Sequence, residues 1–222
     1  MTHKGWLIGS AVMAIGVFVL MLVGVTAGWV WVADMDAGAL DPLHRIGEAN
    51  PGWVRGWDIF CTVFGPTVFR LVTVVVIVIA FVRRNVHVGM FLVISVELSG
   101  LVTQIAKDLV DRPRPATALV HAGASSFPSG HALGVMVAVA ALLTVALPLV
   151  RPAWRGALVV LGVVLVIAIG AGRVVLNVHH PSDVIAGWAL GYAYFVACLL
   201  LVPPRRAITQ PDEIPAEPGT AR

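Results

Sequence analysis

Histidine, lysine, arginine and aspartate gather at three places in a chain otherwise sparse in charge. Lys107, Arg112 and Arg114 lie in the first, 107–115; Ser129, Gly130 and His131 in the second, 126–131; and Arg173, His179, His180 and Asp183 in the third, 173–183. Cations of like sign repel, so the natural guest of Lys107, Arg114 and Arg173 together is a multiply charged anion, and the arginine fork matches the oxygens of a phosphate. Ser129 and Gly130 stand at the start of an apolar helical run, where free backbone N–H groups and the helix dipole favour the same guest. Beside a bound phosphate His179 can attack, with Asp183 four residues on to hold its second nitrogen in one tautomer. His131 is then available as proton donor to a departing oxygen. No Asp/Glu cage suited to Mg²⁺ and no His/Cys set suited to Zn²⁺ is evident, so no metal and no cofactor is expected. These residue types point to metal-free phosphoryl transfer.

Clusters so far apart in sequence can meet only if longer elements carry them to one place. Of the 222 residues, 12% are charged, against about 25% in soluble domains, while 59% are hydrophobic and the mean hydropathy is +0.92. A soluble globule of this size could not hide that much apolar surface, and disorder, a collagen-like fibre and a disulfide scaffold are excluded by the same figures. A helix crosses the hydrocarbon core with about 20 residues. Six runs qualify: 6–32, 60–82, 88–106, 131–150, 154–173 and 183–202. The first is too long for a signal-peptide core and no A-x-A site follows it closely, so it reads as a retained span. Short polar turns at 83–87 and 151–153 imply antiparallel hairpins.

The expected fold is therefore an all-α, polytopic membrane protein, a bundle of six transmembrane helices over 1–202. Residues 203–222, rich in proline and charge, are expected to form a disordered cytoplasmic tail. Residues 33–59 are expected to form an outer loop with a short interfacial helix at Leu40, Leu43, Ile46 and Val54, anchored by Trp53 and Trp57. All three polar clusters fall at span ends on one side. The turns holding Arg83, Arg84, Arg151 and Arg155 mark the other side as cytoplasmic by the positive-inside rule. Both termini are then cytoplasmic and the clusters face outside the cell membrane. The net charge of +3 reflects basic cytoplasmic loops, with no nucleic acid expected as a partner. Cys61 and Cys198 lie inside apolar runs and are expected to be unpaired.

The order K-x6-R-P, then P-S-G-H, then R-x5-H-x3-D, each at a span end, resembles the type 2 phosphatidic acid phosphatase superfamily. The motifs cover 107–183, and the six-span plan extends the likeness over nearly the whole chain except the tail. The resemblance implies that Lys107, Arg114 and Arg173 bind phosphate oxygens, with help from Ser129 and the Gly130 amide. It implies that His179 becomes a phosphohistidine with Asp183 as its orienting partner, and that His131 protonates the leaving group and later activates water. One departure is Gly172, where the family pattern often has serine before the arginine; a possible hydroxyl contact is lost. The implied substrates are membrane lipids, either lipid phosphates or isoprenoid diphosphates, with undecaprenyl diphosphate or phosphatidylglycerol phosphate favoured, hydrolysed at the outer leaflet. A phosphotransferase with another acceptor, or a lipid-phosphate transporter without turnover, would need the same cations. The His179–Asp183 pair and His131 favour hydrolysis over mere binding.

Other polar residues invite their own expectations. Arg112 divides evenly between substrate contact and surface charge. His180 lacks the R-x5-H spacing and is expected to have no chemical role. Arg70 and Glu97 fall near mid-membrane on the two arms of one hairpin, where buried charges find partners, so an Arg70–Glu97 ion pair is expected. The alternative puts Glu97 below the site, with Gln104 between it and Lys107. Gly156, Gly162, Gly170 and Gly172 are expected to permit close helix approach.

Overall fold

The computed structural model describes residues 3–123 and 125–204, so most of the expected tail, 205–222, lies outside the described residues. Among the described residues there is no strand, and six helical stretches are long and apolar enough to cross a membrane: Lys4–Thr26, Pro51–Val82, Val86–Val110, Gly130–Leu149, Pro152–Val175 and Pro181–Leu201.

Helix α1 (His3–Thr26) has no polar face, and Trp6, Val12 and Met13 are exposed where lipid would lie. It packs along α9 (Pro181–Leu201), with Ser10 Oγ 2.9 Å from Tyr192 Oη. The first span stops at Thr26 and not at 32, because Gly28 turns the chain at φ +65°, a conformation that costs glycine little.

The first loop differs most from expectation. In place of a short interfacial helix, α2 (Val30–Ala49) runs for 20 residues and packs against α8 (Pro152–Val175) and α9. Its buried residues Val32, Asp36 and Leu40 recur every fourth position, so one face is committed to the protein interior. Span two also begins earlier than expected, as α3 (Pro51–Val63) and α4 (Pro66–Val82) follow one another across a break at Gly65. Pro66 lacks an N–H and disfavours helical geometry at the residue before it, which places the break. Trp57, expected as an interfacial anchor, is partly buried and packs against α8 at Gly172; Trp53 remains exposed.

Span three is interrupted. Helix α5 (Val86–Leu92) leads through a π turn (Val93–Glu97) into α6 (Ser99–Val110). The expected Arg70–Glu97 ion pair does not form. Arg70 Nη2 lies 3.4 Å from Ser99 Oγ and its guanidinium covers Gly100, while Glu97 Oε1 is buried without a hydrogen-bond partner among the described residues. A π turn holds an extra residue, and past it the rotated register sets Ser99 and Gly100 under Arg70. Gln104, between Glu97 and Lys107 in sequence, donates to Asp108 at 2.6 Å.

Helix α7 (Gly130–Ala146), prolonged by a 3₁₀ turn (Leu147–Leu149), is the central element and meets α4, α6, α8 and α9. Its closest neighbour is α9, because two glycines there face α7 backbone. A Cβ on Gly187 would sit 2.6 Å from the Ser129 carbonyl oxygen, and one on Gly191 would sit 2.9 Å from that of Leu133. Of the glycines expected at helix contacts, Gly162, Gly170 and Gly172 do face neighbouring side chains, whereas Gly156 has nothing within 4 Å. Cys61 and Cys198 are buried and unpaired.

Candidate active site

The three motifs meet at one end of the bundle, stitched by main-chain hydrogen bonds. Asp111 ends α6 in the left-handed region at φ 42°, redirecting 112–115 across the start of α9. Ser126 N–H then donates to the Arg112 carbonyl at 2.8 Å and Ser126 Oγ to that of Pro113 at 3.0 Å, joining the first motif to the second. Ser129 N–H donates to the Asp183 carbonyl at 2.9 Å, joining the second to the third. Leu119 N–H reaches the Leu176 carbonyl at 3.0 Å and Thr117 Oγ1 reaches Asn177 Oδ1 at 2.9 Å, closing the circuit.

At the centre lie His179 and Asp183, both buried. His179 Nε2 is 3.2 Å from Arg114 Nη1, and its Nδ1 is 3.5 Å from Asp183 Oδ2. A guanidinium only donates, so Nε2 must be the acceptor and the imidazole proton sits on Nδ1, facing the carboxylate. Burial pushes the His179 pKa down to about 4; Asp183 pulls the other way, and Arg114 and Arg173 add to the lowering. The ring is therefore neutral at neutral pH, with its Nε2 lone pair turned to the cations and accepting from Arg114. The Nδ1–Oδ2 separation exceeds a good hydrogen bond. Such contacts often tighten only when substrate is bound.

His180 has a definite task that its spacing does not reveal. Its backbone N–H donates to Asp183 Oδ2 at 2.8 Å and its Nδ1 lies 3.1 Å from the same oxygen, closing a capping box at the start of α9.

Lys107, Arg114 and Arg173 are brought together around this pair, each within electrostatic reach of His131. Lys107 donates to the Ser125 carbonyl; Arg114 donates to the Gly123 carbonyl and, at 2.6 Å, to that of Val178. Burial and the repulsion of Arg173 lower the Arg114 pKa, with Asp183 opposing. Arg173 is 7% exposed and its Nε has no hydrogen-bond partner among the described residues. No carboxylate among those residues lies within ion-pair distance of the three, since Asp183 is engaged by Arg112 at 2.6 Å. Three cations with no carboxylate at ion-pair distance among the described residues, in a half-dry site, could hold an anion.

Ser129 and Gly130 open α7 as expected. Ser129 Oγ accepts from Ala132 N–H at 3.4 Å as the helix cap, leaving its hydroxyl proton for another acceptor. His131 follows in the first turn, its Nε2 close to Gly65 at the break in span two. Among the described residues no three His, Cys, Asp or Glu side chains converge as a metal cage.

Arg112 matches neither expected role. It spans two carboxylates, Nη1 to Asp183 Oδ1 at 2.6 Å and Nη2 to Asp36 Oδ2 at 2.8 Å, and also meets Ser182 Oγ at 2.8 Å. Asp36 and Ser182 escape the sequence reading. The available signal was phase: Asp36 shares the face of Val32 and Leu40 on α2, where an isolated carboxylate needs a partner. Gly172 also gains a reason, since a Cβ there would lie 2.6 Å from Cys61 Sγ and 2.9 Å from Trp57. A serine would not fit against α3 as it stands. A cleft of about 320 Å³ opens beside the site, lined by Asp36, Leu40, Arg112, Pro115, Thr117 and His180 among others.

The chain is similar to known proteins in sequence and in fold. The model of the PAP2 superfamily matches residues 88–207. Over 139 residues the chain is 32% identical to phosphatidylglycerophosphatase B of Bacillus subtilis (strain 168), covering 60% of this chain and 68% of that protein. Over 116 residues it is 34% identical to the undecaprenyl-diphosphatase of Sulfolobus acidocaldarius, 49% of this chain and 52% of the relative. Over 117 residues it is 34% identical to the lipid A 1-phosphatase of Rhizobium johnstonii, 47% and 43% respectively. The chain thus spans about half the length of the last two relatives. Its fold is similar to the crystal structure of a transmembrane PAP2-type phosphatidylglycerolphosphate phosphatase from Bacillus subtilis, with a TM-score of 0.66 over 85% of this chain and 94% of that one, at 21% identity. Because the matched segment takes in all three motifs and more than half of the sequence, the chain belongs to the PAP2 superfamily and is a metal-independent phosphatase of the membrane.

Proposed function

We propose that the protein hydrolyses a lipid phosphate or isoprenoid diphosphate, with undecaprenyl diphosphate and phosphatidylglycerophosphate the favoured substrates, at the outer leaflet and through a phosphohistidine on His179. One observation carries this reading: His179 Nε2 lies 3.2 Å from Arg114 Nη1, beside three cations with no carboxylate at ion-pair distance among the described residues. The phosphate oxygens bind Lys107, Arg114, Arg173, the Ser129 hydroxyl and the Gly130 N–H. His179 Nε2 attacks phosphorus in line, the bond to the leaving oxygen breaks, and that oxygen keeps the electron pair and takes a proton from His131. Asp183 steadies the charge that develops on the ring. Water then attacks phosphorus, with His131 accepting its proton, and the N–P bond breaks to release inorganic phosphate. Each preorganised contact to the developing charge is worth about 10²–10³ in rate.

A lipid substrate is supported by an apolar groove of about 380 Å³ between α1 and α6, lined by Phe18, Leu22, Ile105, Ala106 and Leu109 and flanking Lys107 in sequence. Its apolar lining suits a hydrocarbon chain. Relatives named for phosphatidylglycerophosphate, undecaprenyl diphosphate and lipid A point to the same class. The test is phosphate release in detergent with EDTA from undecaprenyl diphosphate, phosphatidylglycerophosphate and phosphatidic acid, for wild type and His179→Ala. Release that survives EDTA and disappears in the variant is expected, and the relative rates rank the substrates. Full activity in His179→Ala would move the nucleophile elsewhere; no release from any lipid by folded wild type would end the hydrolytic reading.

A further inference from the structure

Asp36 lies on α2, ahead of the segment that the family model matches, and no motif includes it. It is nonetheless 3% exposed with both carboxylate oxygens in use. Oδ1 accepts from Ser182 N–H at 2.9 Å; Oδ2 accepts from Ser182 Oγ at 2.7 Å and from Arg112 Nη2 at 2.8 Å. The other arm of Arg112 holds Asp183 Oδ1. Two buried carboxylates therefore share one planar guanidinium, and neither can be moved without re-aiming it.

As a device for docking α2 alone, this is costly. A buried ion network contributes less than well-packed apolar side chains of similar volume, and Val32 and Leu40 on the same face show that apolar docking is available. What the network does provide is direction. With Asp36 holding one arm, Arg112 can offer Asp183 only the other, so Asp183 Oδ2 stays turned toward His179 and His180. Without Asp36 the guanidinium is free to take Asp183 with both arms, drawing Oδ2 away from an imidazole already 3.5 Å distant.

We propose that Asp36 is a positioning residue of the active site, acting through Arg112 and Ser182 to set the Asp183 carboxylate and hence the tautomer and aim of His179. The docked α2 helix is then part of the catalytic apparatus. This rests on the role given to His179 and Asp183 above.

The experiment compares steady-state phosphate release by Asp36→Asn, Asp183→Asn and the double variant, with Asp34→Asn, an exposed position on the same helix, as the control that keeps wild-type rates. For Asp36→Asn, kcat is expected to fall about 10–100-fold, the scale of a misplacement of roughly 1 Å, while KM stays unchanged, as a residue acting through Arg112 and Ser182 requires. In the Asp183→Asn background the same change is expected to add no further loss, whereas a merely structural role would add its full factor. A folded Asp36→Asn enzyme with wild-type kcat, a loss confined to KM, or full additivity would each overturn the proposal. Should Asp36→Asn not fold, Arg112→Lys decides. Lysine keeps the charge but cannot bridge two carboxylates, so an unchanged kcat there overturns the proposal and a matching drop upholds it. Loss of activity in His179→Ala with full activity in Asp36→Asn defeats this inference alone; activity surviving in His179→Ala defeats the catalytic reading beneath it.

Discussion

His179 is defined by two opposed demands, a lone pair to attack phosphorus and a surrounding field strong enough to bind an anion. Cations near an imidazole disfavour its protonated form, and burial does so further; both act here in the same direction, against Asp183. The pH dependence follows with a definite sign. Protonation removes the lone pair, so kcat/KM is expected to fall as pH drops through about 4, well below the ordinary histidine value of about 6.5. A pH profile of phosphate release under subsaturating substrate measures this. An acid limb that follows the ordinary histidine value would mean that His179 is not held in the dry, cation-lined setting seen here. The roles of Arg112 and His180 show what residue type and spacing leave open. Both stand beside motif residues, yet both turn to Asp183, and the direction of a side chain depends on partners that come from elsewhere in the chain.

At the scale of elements, the site depends on how closely α7 and α9 approach. Ser129 begins α7 and its N–H is tied to the Asp183 carbonyl, so the gap between these helices sets the distance from the anion-binding turn to the histidine. Gly187 holds that gap open to backbone contact. Gly187→Ala is expected to cost about 1–3 kcal/mol through overpacking, and to lower activity as Ser129 is displaced. Gly156→Ala, with open space around its Cβ, is expected to be neutral or slightly stabilising. Thermal unfolding in detergent, run beside the activity assay, compares them; equal behaviour of the two variants would remove the close approach as a determinant. The same scale explains the errors in reading the chain. Hydropathy marks where apolar runs lie, but the π turn at Val93–Glu97 and the break at Gly65 alter direction and phase inside single long runs.

For the whole molecule, the question is which side of the membrane the site faces. The arginine-rich turns at 83–84 and 151–155 lie at the opposite end of the spans from the motifs, and we propose from the positive-inside rule that those turns are cytoplasmic. In a variant lacking Cys61 and Cys198, a thiol placed by His121→Cys is expected to react with a membrane-impermeant reagent on intact cells, and one placed by Arg151→Cys only after lysis. The reverse pattern would turn the protein over and place hydrolysis at the inner leaflet.

By itself the sequence determined the membrane class, the six spans and which cations and histidines stand at the span ends that the fold brings together. These follow from local quantities: hydropathy summed over about 20 residues, and motifs whose members sit within one turn or one loop of each other. Only the tertiary structure decided that Asp36 and Asp183 share Arg112, that Arg70 turns to Ser99 and not to Glu97, and that Gly172 leaves room for Cys61 and Trp57. Each of those depends on which faces of distant helices meet. That is set by helix phase, close glycine contacts and the competition for a few buried hydrogen-bond partners, and of these only phase leaves a mark along the chain, one that names a face but not its partner.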